Sequence, residues 1–206
     1  MTTFVLATAN AHKAIEMRAV LGDLGIDVVG RPDDVDDVEE TATSLEGNAL
    51  LKALTIAAAT GHAAIADDTG LFVDALEGRP GVRSARYAGE GAGDDENITK
   101  LLGELDHVEG TARAAHFRTV IAVAYPSGES WWVEGVLEGR ITWQRRGGHG
   151  FGYDAVFEPR HSPGRTLGEM TLSEKNATSH RAAALRALAA ALTASSRDAP
   201  TRSLEG

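Results

Sequence analysis

Phe4-Val5-Leu6-Ala7, running into Thr8-Ala9-Asn10, is a short apolar run that stops at polar, turn-forming residues. An apolar run of that length, bounded in that way, predicts a buried strand. The residues that follow change period. Ile15, Met17, Ala19, Val20, Leu21 and Leu24 recur at helical spacing and stop at Gly25, so a helix is predicted there. Ile26-Asp27-Val28-Val29 then reads as a second strand. A β-α-β opening of this kind favours a right-handed crossover and parallel pairing, which puts the chain in the α/β class.

Further along, Asp33 to Glu40 is an acidic loop, and a helix is predicted over Leu45 to Thr60 with Thr43 or Ser44 as its N-cap. Ala63-Ala64-Ile65-Ala66 reads as another short buried strand, ending at Asp67-Asp68-Thr69-Gly70. Gly78 to Gly81 is a turn, and Asp94 to Leu105 a modest helix. The middle of the chain turns β-rich: Ala112 to Tyr125 and Ser130 to Leu137 read as strands joined at Pro126-Ser127-Gly128. Gly147 to Gly150 reads as a flexible loop, and Ala155 to Phe157 as a short strand. Arg181 to Leu192 is a strong helix, with Leu185, Leu188 and Leu192 on one stripe and Ser179 as the N-cap. Residues 1–194 read as one unit without an internal linker, and Ser195 to Gly206 as a disordered tail.

Composition narrows the classes. The 206 residues are 43% hydrophobic and 24% charged, as in ordinary soluble globular domains. Thirty acidic residues against twenty basic ones give a charge of −10, and no basic stretch exceeds Arg145-Arg146. That argues against a duplex nucleic-acid binder, which needs a basic face. It leaves room for a small anion held in a local Lys/Arg pocket. The chain has no cysteine, which excludes disulfides and thiolate metal sites and fits a reducing cytoplasm. Met1 to Asn10 does not read as a signal peptide, and no run suits a membrane span.

Five segments carry candidate chemistry. Thr8-Ala9-Asn10-Ala11-His12-Lys13 falls between strand and helix, where free N–H groups and the helix dipole favour an anion; simple capping is the alternative. Asp67-Asp68-Thr69-Gly70 follows a buried strand, where α/β sheets collect ligands. Two carboxylates there can hold a divalent cation or orient a water, or they merely form an acidic turn. Alternation along a strand lets only one of the pair face the site. Glu39-Glu40-Thr41 precedes Glu46, Asn48 and Lys52; Asn48 and Lys52 share a helix face that either binds metal and phosphate or lies in solvent. Gly150-Phe151-Gly152-Tyr153-Asp154 suits either a stacked flat ring or a tight turn with core aromatics. Glu174-Lys175-Asn176 with Ser179-His180-Arg181 offers donors for purine O6 and N7, or ordinary capping and surface charge.

In order, these segments resemble the inosine/xanthosine triphosphate pyrophosphatase family, also called HAM1-like. Ala66 to Leu71, Ser84-Ala85-Arg86-Tyr87-Ala88-Gly89 and Glu169-Met170 extend the match, which spans positions 8 to 181. The resemblance implies an elongated mixed central sheet flanked by helices, two lobes with the active-site cleft between them, and a homodimer. It implies Mg²⁺-dependent hydrolysis of ITP, dITP and XTP to the monophosphate and pyrophosphate. Thr8, Ala9, Asn10, Ala11, His12, Lys13 and Lys52 would bind phosphates, and Glu40 and Asp68 the metal, with Asp68 the proton acceptor. Thr69 would touch substrate. Phe151, Gly152, Tyr153 and Asp154 would form the base pocket, and Lys175, His180 and Arg181 would read the purine carbonyls. Ala155 stands where the family usually has Pro, which removes a fixed φ from that turn. A pyrophosphatase of other base specificity and a non-catalytic nucleotide-binding module are the competing readings.

Overall fold

The structure is a computed structural model that describes residues 3–33 and 35–197. Its frame is a mixed sheet in the order β2-β1-β3-β5-β6-β7, with β4 added beside β3. Strand β1 (Phe4–Leu6) pairs in parallel with β2 (Val28–Gly30) and with the start of β3 (Ala64–Val73). Helix α1 (Ala11–Asp23) makes the first crossover and α2 (Leu45–Thr60) the second. The β-α-β opening therefore stands as read, with the second strand starting two residues later than expected.

One boundary differs in a way that matters for function. The Ala63–Ala66 strand does not end at Asp67 but continues to Val73. Its first residues pair with β1, which stops at Leu6, while β5 (Ala114–Ala124) follows it antiparallel along its whole length, from Ala64↔Ala124 to Val73↔Ala115. The two aspartates thus sit inside a strand and just past the carboxyl end of its parallel neighbour. Partners more than fifty residues away hold this stretch extended, so local residue character gives no sign of it.

Strand β6 (Ser130–Ile141) forms a hairpin with β5, and the short strand β4 (Pro80–Gly81) pairs with Leu71 and Phe72. Ala155 to Phe157 is corrected: Asp154–Val156 is a 3-10 turn, and only Phe157–Pro159 forms a strand, β7. Helix α3 is Asp94–Glu104 and α4 is Leu172–Thr178. Helix α5 (His180–Arg197) begins where Ser179 Oγ accepts from Ala182 N. It runs through residues 195–197, which were expected in the tail; residues 198–206 lie outside the described ones.

Three apolar clusters flank the sheet. Phe4, Leu6, Met17, Leu21, Ile65, Ile121, Leu185 and Leu188 pack under α1 and α5. Val5, Leu45, Ala49, Ala53, Ile56, Ala64, Val120 and Ala122 pack under α2 on the opposite face. A third cluster, with Leu71, Leu101, Phe117, Val156 and Phe157, fills the far ends of β3, β5 and β6. Alternation along β3 decides which residues join which face. Gly135 lets α5 lie close on β6, because a Cβ there would stand 2.3 Å from the His180 carbonyl oxygen.

Candidate active site

A cavity of about 140 Å³ lies where these clusters meet, lined by residues of α1, β3, the Val82–Ala85 segment, the Phe151–Asp154 loop and the α4–α5 junction. Of the residues expected in a site, Asn10, Lys13, Glu40, Asp68, Thr69, Phe151, Gly152, Tyr153, Asp154, Lys175, His180 and Arg181 line it.

The start of α1 is capped by its own sequence. Asn10 Oδ1 accepts from His12 N at 3.0 Å and Lys13 N at 3.1 Å, and Thr8 Oγ1 accepts from Asn10 N. Two of the N–H groups expected to face an anion are therefore taken by Asn10. Ala9, Ala11 and His12 are exposed at the rim, where the His12 ring stacks on Phe151 with centroids 5.4 Å apart.

The two aspartates face opposite sides, as strand alternation requires. Asp68 lines the cavity; its Oδ2 accepts from Asn48 Nδ2 at 3.0 Å and its Oδ1 from Thr69 N at 2.8 Å. Asp67 instead points beneath α1 and α5, where its Oδ2 meets Lys13 Nζ at 3.1 Å and Arg181 Nη2 at 3.2 Å. Burial opposes ionisation of Asp67, but Lys13, Arg181 and Lys52 outweigh it and hold its carboxyl well below the usual range. Asp68 goes the other way. Burial raises its pKa, Glu40 adds like-charge repulsion, and Lys52 and Lys13 only partly compensate.

Asn48 and Lys52 are buried on α2 rather than solvated. Their burial follows from the apolar Leu45, Ala49, Ala53 and Ile56 around them, which press this face against the sheet. Lys52 Nζ donates to Glu40 Oε1 at 2.7 Å, and Glu40 also meets Arg86 at 3.7 Å. Burial works against the Glu40 charge, but Lys52, Lys13 and Arg86 lower its pKa below the usual carboxyl value. Glu46 belongs elsewhere, paired with Arg118.

At the other end, Asp154 Oδ2 accepts from Phe151 N at 2.9 Å and from Lys175 Nζ at 2.5 Å. Gly150 makes this loop possible: its φ is +79°, and a Cβ would stand 2.1 Å from Asp154 Oδ2. The 3-10 turn persists with Ala155 in it, and the Ala155 carbonyl accepts from Arg146 N. Tyr153 is a core residue whose hydroxyl donates to the Ser84 carbonyl. Lys175 and Arg181 lie 4.8 and 5.6 Å from the centroid of the Phe151 ring. His180 is buried and held neutral, since burial, Arg181 and Lys175 all disfavour its cation. Its Nδ1 meets Thr119 Oγ1, which in turn meets Thr69 Oγ1 at 2.7 Å. Glu174 and Asn176 do not join the site; Glu174 caps α4 and pairs with Arg165.

Sequence reasoning gave no role to Glu16, Thr119 or Asp94, quoted Ser84-Ala85-Arg86 only within the matched stretch, and offered Asp67 only as one of two candidate carboxylates. Glu16 is 5% exposed and bridges Lys175 at 2.7 Å and Arg181 at 2.5 Å. Its position three residues after Lys13, among Met17 and Val20 on a helix face, was the available signal. Asp94 Oδ2 accepts from Gly152 N at 2.6 Å.

The network balances five cations (Lys13, Lys52, Arg86, Lys175, Arg181) against five carboxylates (Glu16, Glu40, Asp67, Asp68, Asp154), and Asp94 adds a sixth at the wall. Protein charge alone therefore does not neutralise a polyphosphate. Glu40 and Asp68 supply hard oxygens to one cavity, and two carboxylates completed by water and phosphate oxygens are what a small hard cation such as Mg²⁺ takes. The donor set fits such an ion.

Fold and site define an α/β protein whose single cleft is lined by the Phe151 ring, a set of cations and the carboxylates Glu40 and Asp68. The chain belongs to the Ham1 family, whose model matches residues 4–191. It is 45% identical over 192 residues to a dITP/XTP pyrophosphatase of Streptomyces coelicolor, covering 91% of this chain and 96% of that protein. It is 43% identical over 196 residues to one of Bacillus subtilis, covering 94% and 98%. Among solved structures, a HAM1 protein from Coxiella burnetii superposes with a TM-score of 0.83 at 41% identity, over 94% of this chain and all of that one.

Proposed function

We propose that the chain hydrolyses aberrant purine nucleoside triphosphates (ITP, dITP and XTP) to the monophosphate and pyrophosphate. One observation carries this reading: a single cleft joins the Phe151 platform and its cations to the facing carboxylates Asp68 and Glu40. The names of the relatives at 43–45% identity support it.

In this reading Asp68 takes a proton from the attacking water as that water's oxygen bonds to the α-phosphorus. The α–β bridging P–O bond breaks, and pyrophosphate leaves. The raised pKa of Asp68 brings it nearer to the working pH of a base. Mg²⁺ held by Glu40 and Asp68 supplies charge neutralisation to the phosphates when bound. The Thr8–Lys13 turn and Lys52 hold phosphate oxygens, and Thr69 contacts the substrate beside Asp68. The base lies on Phe151 within the Gly152–Asp154 wall. Lys175 and Arg181 offer only donors, so they match a 6-oxo group and meet the 6-amino group of ATP donor to donor; neutral His180 adds one ring nitrogen. Residues 1–194 act as one two-lobed unit, as a homodimer in the cytoplasm; among the described residues no helix is long and apolar enough to cross a membrane.

Pyrophosphate release from ITP, XTP, dTTP, GTP and ATP, with and without EDTA, tests the reading. Release confined to ITP and XTP and abolished by EDTA supports it. Comparable release from ATP or GTP overturns the base assignment, and no release from any overturns the activity.

A further inference from the structure

The cations of the cleft differ in how fully their donors are used. Lys52 donates to Glu40, Lys175 to Glu16 and Asp154, and Arg181 to Glu16, Asp67 and Thr69. Lys13 meets Asp67 at 3.1 Å. Arg86 is different. Its guanidinium makes no hydrogen bond among the described residues; it meets Glu90 at 3.5 Å and Glu40 at 3.7 Å, both long ion-pair contacts.

Its position is equally specific. Arg86 ends the 3-10 turn Ser84–Arg86, and its neighbours Ser84 and Ala85 line the cavity. That turn is anchored: Ser84 Oγ donates to the Gly81 carbonyl and accepts from Leu71 N, while the Ser84 carbonyl accepts from Tyr153 Oη. The side chain is about a quarter exposed and lies beside Glu40, which lines the same cavity as Asp68 and Phe151. In the substrate orientation proposed above, with the base on Phe151 and the α-phosphorus at Asp68, the outer phosphates would lie near Glu40, the carboxylate that Arg86 meets.

We propose that Arg86 is a pyrophosphate-binding residue, whose guanidinium grips the β- and γ-phosphate oxygens and steadies the leaving group. The planar fork suits two phosphate oxygens at once, and it is free to turn because its present partners are long contacts. A cation on Glu40 would weaken Arg86's hold on that carboxylate and leave the fork to the phosphates. This rests on the orientation of substrate proposed above.

The test is calorimetric titration of inorganic pyrophosphate and, separately, of IMP into the Mg²⁺-loaded protein, for the parent, Arg86→Gln, Arg86→Lys and Arg83→Gln. Loss of a charge-assisted bidentate contact is expected to weaken pyrophosphate binding about 10- to 100-fold in Arg86→Gln. IMP affinity should stay within about twofold, since IMP lacks the outer phosphates. Arg86→Lys should recover part of the loss, and Arg83→Gln, on the same segment but paired with Glu90 rather than Glu40 among the described residues, should match the parent. Unchanged pyrophosphate binding, or an equal loss for IMP, overturns the assignment. A parent that binds pyrophosphate through Arg86 yet releases none from ITP would leave this inference standing and remove the proposed activity instead.

Discussion

Replacing Gly135 with alanine puts a methyl carbon 2.3 Å from the His180 carbonyl oxygen and 2.4 Å from Ala184 N. Ordinary contact begins near 3.4 Å, so the start of α5 must retreat by roughly 1 Å. Both clashing atoms are backbone, and no side-chain rotation relieves them. His180 and Arg181 are the first two residues of α5, and they move with it. A misplacement of that size at a binding site costs on the order of 100-fold in rate. The overpacking itself costs roughly 1–3 kcal/mol, or about 2–12 °C in melting temperature for a chain of this length. The assay is kcat/KM for ITP by pyrophosphate release, beside a thermal melt. Gly22→Ala is the control, since that helical glycine has nothing within 4 Å of its added Cβ, and it should hold or slightly raise stability. A Gly135→Ala protein with parental kinetics and melting would show that the contact between β6 and α5 does not position the site.

Two further outcomes follow from the buried charges. Glu16→Gln keeps the shape of a side chain that is 5% exposed but leaves Lys175 and Arg181 one carboxylate short. It should cost about 3–5 kcal/mol in urea unfolding at neutral pH, and a loss below about 1 kcal/mol would contradict the network. His180 is neutral when folded because burial, Arg181 and Lys175 depress its pKa well below 6.5. An unfolded histidine binds a proton below that value, so the stability present above pH 6.5 is lost as pH falls, at up to about 1.4 kcal/mol per unit from this residue. Between pH 6.5 and 5, His180→Asn should show a flatter decline than the parent by that amount; parallel curves would refute a neutral His180.

What could be read from the sequence was what local chemistry dictates. Helix α2 follows from helical spacing and stands as read, and of the two caps expected, Thr43 or Ser44, it is Ser44 that caps it. The α1 cap at Asn10 and the αL glycine after α2 are likewise local. The extension of β3 through Asp67-Asp68 was not legible, because β5 imposes it through a long antiparallel ladder. Burial of Asn48 and Lys52 needed knowledge of which α2 face meets the sheet, and residue spacing alone left that open. Glu16, and the ion pair that takes Asp67 out of the candidate pair, escaped for the same reason: their partner Arg181 lies 165 and 114 residues away. Arg86 stood within a quoted motif, but only its position beside Glu40 gives it a role.

Asp67 and Asp68 are adjacent and chemically identical, yet the strand turns one into a buried ion-pair cluster and the other into the cavity. Pyrophosphate release from ITP by Asp68→Asn, measured on protein shown by circular dichroism to be folded, is the direct test of the proposed chemistry. Asp68→Asn should fold and lose on the order of 1,000-fold or more in kcat, as removal of both a base and a metal ligand requires. An Asp68→Asn protein that hydrolyses ITP near the parental rate would contradict it.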